Sequence, residues 1–573
     1  MPADVFTYLI KWGLPRYLCR LGYSQPGPLL KPQLHAIRCT LLIAYSLKLS
    51  LSGIMRRLAL EIASQAVPVA TTILDRVFFA AIALRAWGLD GFEYWSLILS
   101  VTSLLTIFDA GCLQNFDNRI TSAMARGDPA RAIDVYQQSN FIFLIIGFAA
   151  AASAAVLALS SPLQSVTGIA HPQFASQALL VVLGLGLATA LRLVAMNFMA
   201  VYRANLSYGR GTVVFALTEI IRILLLCTVI ALGASIAATA IFYLLLTGVA
   251  LAGIAHFDIG RRFPDFRYRI VLPRGDALKG SLRMALAFGL PLLPVMAMQQ
   301  APVLLLGAAA AAGAGLVASF VLLRTLSNLA RTIVYKAVNV LAMDLVRHGV
   351  KRGEETANRL GRRINSLVAF VFGCIGGGLL SYGETIIGLW SGRPSLFDPI
   401  VLAVMLMPMV LTPSLMLAQT VLQYRNTPKV WSIGAFVHGG LAILLYFSLP
   451  IDDILLSVSV AVYGGEMLGL GLPVLWASAG CSWREMLRRE VGPTFVSIGA
   501  LLAVIALSWC LTRIVAPTSF EGILFHFITV GAVFSVNLIW LLRYSLSWAR
   551  SILSPIPADP SSGTATKAPR ANC

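Results

Sequence analysis

Five polar residues lie along one face of an apolar stretch in the second half of the chain. They are Arg324, Asn328, Arg331, Tyr335 and Asn339, at spacings of four, three, four and four. In a helix this spacing aligns side chains on one side. Guanidinium groups keep their charge and bind phosphate bidentately, so we predict a cavity in which Arg324, Asn328 and Arg331 contact an anionic substrate. The alternative is that Arg331 extends to the aqueous interface and Arg324 pairs with an acid for packing alone.

The first half of the chain also carries charged and polar residues inside apolar stretches. Asp75 and Arg76 are adjacent, which places them about 100° apart on a helix, so both can border a cavity. Arg192 lies near the centre of its apolar stretch, and Asn197 follows further along. We predict that these four residues contact substrate, with outward extension of Arg76 to the interface as the alternative.

Three acids and one further arginine complete the charged candidates. Glu219 and Arg222 are three residues apart, which predicts an ion pair, either beside the substrate or purely structural. Glu466 stands alone in its apolar stretch and is interpreted as a coupling residue for protons or as a protonated interior acid. Asp109 is expected to orient neighbouring helices, with a ligand or coupling role as the alternative.

A proline-rich stretch, AFGLPLLPVMAMQQAP from Ala287, is a candidate gate. Pro291 and Pro294 remove backbone donors and kink a helix. Gln299 and Gln300 add polar side chains to the same stretch. We predict a gate at these four residues, although proline is frequent in membrane helices in any case.

The composition excludes an ordinary soluble protein. Of the 573 residues, 58% are hydrophobic and 12% are charged, whereas a soluble chain carries about 25% charged residues. The apolar stretches are continuous, unlike the alternating strands of about 10 residues in outer-membrane barrels. We therefore predict an all-α polytopic membrane protein, with the net charge of +19 explained by its loops and no nucleic-acid partner.

Apolar windows predict 14 transmembrane spans, numbered one to fourteen below. Their approximate bounds are 59–83, 95–114, 138–160, 175–200, 211–231, 236–256, 284–306, 314–335, 364–381, 399–423, 430–449, 454–476, 493–512 and 523–542. Of the 44 Lys and Arg residues, 36 lie on the side of the even-numbered loops and termini, three on the other side and five within spans. By the positive-inside rule both termini are cytoplasmic. The eight cysteines show no metal or redox spacing, so we predict no metal and no cofactor.

Two pairs of cytoplasmic segments repeat at offsets of 226 and 222 residues. The first pair is Arg126-Gly127-Asp128 and Arg352-Gly353-Glu354, and the second is Tyr202-Arg203-Ala204-Asn205 and Tyr424-Arg425-Asn426. Each pair links a span to the span six further on, which predicts two six-helix lobes in the same orientation. The predicted units are an N-lobe at 55–283, a C-lobe at 284–490 and two extra helices at 491–545. Parallel repeats are typical of transporters with a site between the halves.

The two ends of the chain do not fit this pattern. The run from Cys39 to Ile54 is short for a span and contains Lys48, whereas Met55-Arg56-Arg57 directly precedes the first clean span. We expect the natural start there, with a genuine N-terminal extension over residues 1–54 as the alternative. The segment 546–573 is rich in Pro, Ser, Thr and Ala and predicts a disordered cytoplasmic tail.

Three motifs near the start of the N-lobe occur in a recognisable order. They are Gly-x-x-x-Phe-x-x-Trp-Ser at Gly88–Ser96, Phe108-Asp109-Ala110-Gly111, and Arg126-Gly127-Asp128. In these motifs, their spacing and the span count, the chain resembles bacterial polysaccharide flippases of the O-antigen and exopolysaccharide type. These flippases belong to the multidrug/oligosaccharidyl-lipid/polysaccharide exporter superfamily, and the resemblance extends over roughly residues 55–545.

The resemblance implies a transporter and not an enzyme. It implies that the chain moves undecaprenyl-pyrophosphate-linked oligosaccharides across the bacterial inner membrane by alternating access between two lobes. The implied partners are this lipid-linked glycan, the lipid bilayer, a polysaccharide polymerase and a chain-length regulator. The glycan itself and the coupling to an ion or proton gradient stay open.

Three other functions stay open at this point. A lipid-linked peptidoglycan precursor flippase is a close relative with the same number of helices. A multidrug or cation antiporter of the same superfamily would rely more naturally on cavity carboxylates than on five intramembrane arginines. A membrane polysaccharide polymerase or O-antigen ligase would carry a large external loop, whereas the longest one here is about 17 residues, around Tyr382–Asp398.

Overall fold

The computed structural model describes most of the two predicted lobes. The described residues are 66–109, 112–159, 172–205, 207–272, 292–309, 315–352, 354–424, 428–479, 482–514 and 529. All of them belong to one compact unit, Ser64–Cys573. The predictions for the extension 1–54, for span fourteen beyond residue 529 and for the tail 546–573 lie outside the described residues.

The described part of the chain is helical and contains no strand. Spans one and two are nearly continuous and are separated by Gly88, whose φ of 72° breaks the helix and suits a residue without a side chain. Their elements are Ala66–Ile73, a π-helix at Leu74–Phe78, Phe79–Ser103, a 3₁₀-helix at Leu104–Asp109, and Cys112–Ala125.

Helices also occupy the positions of predicted spans three to thirteen. In the N-lobe they are Pro129–Leu159, Ala178–Met196 with Phe198–Ala204, Tyr208–Ala231, and Ile236–Gly253 with its continuation to Arg262. In the C-lobe they are Leu292–Ala308, Leu316–Arg352, Glu354–Ser391, Pro399–Leu411 with Leu415–Tyr424, Pro428–Ser448, and Ile454–Ser478, followed by Trp483–Ile514. The span numbers are kept below for these helices.

Length and hydropathy confirm a polytopic membrane fold. Among the described residues, nine helices are long and apolar enough to cross a membrane, or ten if the pair bent by 58° after Leu411 is one span. The first of them, Val67–Phe108, has 42 residues and contains the break at Gly88. At 1.5 Å per residue it measures about 63 Å, which is twice the hydrocarbon thickness, so it provides two crossings. Two shorter apolar helices, Leu293–Ala308 and Ser432–Ser448, correspond to spans seven and eleven.

The buried hydrophobic residues separate into cores that follow the two halves of the chain. One core lies between Leu105 and Phe266, and another joins Leu97 to residues from Val303 to Tyr463. A third cluster bridges the halves by packing Ala83 and Phe92 against residues such as Leu322 and Trp390. The division into two lobes, with boundaries at 283 and 490, stays a prediction.

Candidate functional site

The described residues line two adjoining cavities between the halves of the chain. The N-lobe cavity has a volume of about 450 Å³ and lies among spans one, two, four to six, seven and eight. The C-lobe cavity has a volume of about 370 Å³ and lies among spans one, seven, eight, eleven and twelve. Four residues line both cavities and mark their junction: Arg76, Gln300, Arg324 and Thr325.

Arg324 is one of the two cations at the junction, together with Arg76. The uninterrupted helix of span eight carries it about 12 Å from the helix start at Leu316. Its Nη1 donates a hydrogen bond to the backbone carbonyl of Gln299, and its guanidinium carbon lies 5.5 Å from the centre of the Phe320 ring. Within the described ranges Arg324 forms no ion pair with a carboxylate. Its charge is therefore balanced only by a carbonyl dipole and an aromatic face.

Arg331 and Asn328 line the C-lobe cavity on the same face of span eight. Arg331 Nη1 lies 2.6 Å from Glu466 Oε1, and the two side chains are only 19% and 17% exposed. The guanidinium carbon of Arg331 is also 5.5 Å from the centre of the Tyr463 ring. Glu466, the lone acid of its own apolar stretch, thus has a cationic partner from another span, because the fold brings span twelve against span eight.

Asp75 and Arg76 lie in the π-helix of span one, and both line the N-lobe cavity. A π-helical segment shifts the side-chain register of a helix and is frequent at functional sites. Arg76 Nε and Asp75 Oδ2 are 3.8 Å apart, and both side chains are about half exposed. Such a long and hydrated ion pair contributes little, so Arg76 remains available to a ligand in the cavity.

Arg192 and Arg222 line the N-lobe cavity and share one acid. Glu219 accepts a hydrogen bond from Arg222, as the spacing of three residues predicts, and its Oε1 lies 3.9 Å from Arg192 Nη2. Arg222 is buried with its guanidinium carbon 4.2 Å from the Tyr243 ring centre, whereas the Arg192 side chain is 58% exposed. Arg192 is thus the accessible member of this group.

Asn197 lies outside both cavities, contrary to the predicted substrate contact. It is fully buried, and its Nδ2 donates to Ser139 Oγ and to Asn140 Oδ1, each at 2.7 Å. Ser139 Oγ lies 3.0 Å from Asn197 Oδ1 in return. The amide is occupied in joining spans three and four, which is the common use of polar side chains between membrane helices.

The candidate gate is placed only in part. Gln299 lines the C-lobe cavity, Gln300 lines both cavities, and Pro294 lies in the first turn of the described helix of span seven. Span seven thus runs along the wall between the two cavities. The predictions for Pro291 and for the side chain of Asp109 lie outside the described residues.

Sequence reasoning missed a contact between the helix of span two and the start of span eight. It lies at the predicted outer end of the two lobes. Glu93 of span two is buried, and its Oε1 accepts a hydrogen bond of 2.9 Å from Ala318 N at the start of span eight. Free backbone N–H groups at a helix start stabilise a carboxylate. Trp390 Nε1 adds a second bridge to the carbonyl of Val77 at 2.7 Å. An acid inside the Gly88–Ser96 motif was the available signal.

Comparisons with known proteins support this fold. No protein-family model matches the sequence, and no curated protein sequence matches it. Among solved structures, the chain is similar to the lipid II flippase MurJ in an inward closed conformation, with a TM-score of 0.62 and 12% identity over 85% of this chain and all of that chain. It is also similar to an inward-facing multidrug resistance MATE family transporter of the MOP superfamily, with a TM-score of 0.57 and 15% identity over 75% of this chain and 98% of that chain. The chain therefore has the fold of these transporters.

Proposed function

We propose that this protein flips undecaprenyl-pyrophosphate-linked oligosaccharide units across the bacterial inner membrane by alternating access. The product would feed O-antigen or exopolysaccharide assembly, with a polymerase and a chain-length regulator as partners. The observation that carries the proposal is the place of Arg324 at the junction of both cavities, without a carboxylate partner among the described residues. A cation in that position favours an anionic ligand that reaches into both cavities.

The balance of charge around the cavities supports a head group with two ionised phosphates. Five arginines and three acids belong to the two cavities and their ion pairs, which leaves an excess of two positive charges. They are Arg76, Arg192, Arg222, Arg324 and Arg331 with Asp75, Glu219 and Glu466. A pyrophosphate linked at both ends carries two negative charges at neutral pH, so it matches this excess. A cationic drug would meet repulsion, which disfavours the multidrug alternative.

A lipid-linked peptidoglycan precursor is the second candidate substrate. The same cavities would accept it, because it is also joined to its lipid through a pyrophosphate. The similarity to the lipid II flippase MurJ favours this candidate at the level of fold. The two substrates differ in their glycan and peptide parts, so an assay that identifies the accumulated lipid separates them.

The test is a deletion strain rescued with the wild-type protein or with Arg324→Ala, with lipid-linked sugars measured on each membrane face. We expect undecaprenyl-linked repeat units to accumulate on the cytoplasmic face in the deletion strain. The wild-type protein should clear them, and Arg324→Ala should not, although it is expressed at the same level.

Three results would contradict this account in different ways. Repeat units that cross normally but stay unpolymerised or unligated outside would reopen an enzymatic role. Accumulation of the peptidoglycan precursor alone would favour the second candidate. Full rescue by Arg324→Ala would leave the flipping activity standing and remove Arg324 from the site.

A further inference from the structure

The contact between Arg331 and Glu466 uses only part of the arginine. Glu466 Oε1 accepts a hydrogen bond of 2.6 Å from Arg331 Nη1. Arg331 Nε and Nη2 are buried without a hydrogen-bond partner in the described structure. A guanidinium group offers five N–H donors in a fixed fork, and its strongest pairing is bidentate. Arg331 is therefore incompletely satisfied by its acid, and a larger anion would satisfy it better.

Glu466 is also the one carboxylate among the described residues that line the C-lobe cavity. The other charged or titratable residues of that cavity are Arg76, Arg324, Arg331, His438 and Tyr463. His438 Nε2 lies 3.0 Å from the backbone carbonyl of Val462, so this ring nitrogen carries a proton and is already engaged. An anion entering the cavity would meet three arginines, and Glu466 would be the one carboxylate of the described lining that competes with it.

The backbone that carries Glu466 is held firmly in place. Glu466 begins the second of two consecutive π-helical segments, Val460–Gly464 and Glu466–Gly471. A Cβ at Gly469 would lie 2.5 Å from His438 N, and one at Gly465 would lie 3.0 Å from Ala442 N. Span twelve is therefore packed directly on the backbone of span eleven. Because this packing opposes a shift of the helix, Arg331 would be released by rotation of the Glu466 side chain.

Arg324 and Arg331 are separated by two helical turns, or about 10.5 Å along the axis of span eight. Both side chains are long and point into cavities that join at Arg324. A single phosphate can bind Arg324 without disturbing Arg331. A second phosphate bonded to the first would lie toward Arg331, where it must share the guanidinium with a carboxylate of the same charge.

We infer that Glu466 is a competitor that occupies Arg331 in the empty carrier, is displaced by the second phosphate of a diphosphate substrate, and promotes the release of that substrate. A monophosphate gains nothing by displacing Glu466, because its negative charge is already paired with Arg324. A diphosphate gains contact with a second arginine, and this contact offsets the loss of the ion pair between Arg331 and Glu466. When the substrate leaves, Glu466 returns to Arg331 and so speeds release. This inference rests on the proposed function and adds to it the residue that competes with the second phosphate for Arg331.

The test measures equilibrium binding of undecaprenyl pyrophosphate and undecaprenyl phosphate to the purified full-length protein. The wild-type protein should prefer the diphosphate. In Glu466→Gln, binding of the diphosphate should strengthen by about tenfold, within the usual range of coupling between sites, because no acid has to be displaced from Arg331. Binding of the monophosphate should change far less, so the preference for the diphosphate should rise. Release of the diphosphate should slow, so flipping in proteoliposomes should fall although binding is tighter. A purely structural role for Glu466 would lower binding and flipping together.

Two further variants keep the test decisive. Glu485→Gln removes a comparable acid that pairs with Arg489 at 2.8 Å at the start of span thirteen, outside both cavities, and should change neither affinity. Glu466→Asp keeps the charge but shortens the reach to Arg331, so it should strengthen diphosphate binding in part even if Glu466→Gln folds poorly. An unchanged preference in both Glu466 variants would overturn the inference and leave the proposed function standing. Failure of the wild-type protein to bind either lipid would overturn both.

Discussion

The two cavities hold their arginines in different ways. In the N-lobe cavity, Arg192 and Arg222 share Glu219, and the contact with Arg192 is as long as 3.9 Å. In the C-lobe cavity, Arg331 has Glu466 to itself at 2.6 Å, and both side chains are largely buried. Arg324 lies between them without a carboxylate partner among the described residues.

This difference indicates a division of roles. An exposed cation with a distant acid, such as Arg192, can bind an anion at little cost, because exposed ion pairs contribute less than about 1 kcal/mol. A buried pair at short distance must be broken before its cation becomes available, and breaking it costs several times more. The N-lobe cavity therefore attracts an anionic head group, and Arg324 binds it. The ion pair of the C-lobe cavity, Arg331 with Glu466, must open before a second phosphate can bind Arg331.

The largest expected effect is that of Arg324→Ala on binding. Loss of a charge-assisted hydrogen bond to phosphate should weaken the binding of undecaprenyl pyrophosphate by about a hundredfold, measured on the purified protein. Arg513→Ala is the matched control, since Arg513 lies over the Trp509 ring at 3.9 Å and lines neither cavity. An equal loss of affinity in Arg324→Ala and Arg513→Ala would mean that the cavity junction has no particular role in binding the lipid.

A smaller effect, of different character, is expected for Glu219→Gln. This change leaves both Arg192 and Arg222 without their shared acid, so anions should bind about threefold more tightly. Because Glu219 does not line either cavity, the gain should be equal for undecaprenyl pyrophosphate and undecaprenyl phosphate. If Glu219→Gln instead raised the preference for the diphosphate, as expected for Glu466→Gln, the proposed difference between the two cavities would be wrong.

Glu93→Gln should change the balance between conformations rather than the site. A neutral amide caps the start of span eight less strongly than a carboxylate, so the predicted outer end should open about two- to threefold more often. The readout is labelling of Thr325→Cys, in a protein without other cysteines, by a thiol reagent that cannot cross the membrane and is added outside. Identical labelling with and without the Glu93 substitution would show that this contact does not hold the lobes closed.

The smallest effect on binding is expected for Asn197→Ala. Its amide joins spans three and four, so its loss should lower the free energy of unfolding by about 1 kcal/mol. Affinity for undecaprenyl pyrophosphate should not change, because Asn197 faces neither cavity. Thermal unfolding and lipid binding of the same preparation provide both values, and a loss of affinity without a loss of stability would restore the original prediction of a substrate contact.

The sequence predicted local features of the fold and of the site well. Periodicity placed Arg324, Asn328 and Arg331 on one face of span eight, and these three residues line the cavities. Hydropathy placed helices at the positions of spans one to thirteen. Both features depend on residues that are neighbours along the chain, so spacing alone is enough to predict them.

Contacts between distant spans could not be predicted in this way. Arg331 and Glu466 are 135 residues apart, and Glu93 caps a helix that begins more than 200 residues later. Asn197 shows the converse error, since its position within a span gave no indication of which neighbour would cover it. The π-helical segments around Arg76 and Glu466 were also missed, because they alter the register that a regular helix would predict.

The most direct test of the central claim is flipping of undecaprenyl-pyrophosphate-linked oligosaccharide by the purified protein in proteoliposomes. Wild-type protein and Arg513→Ala should move the lipid at similar rates, and Arg324→Ala should lower the rate to that of liposomes without protein. Transport by Arg324→Ala at the wild-type rate would contradict the role of the cavity junction as the anchor for the phosphates.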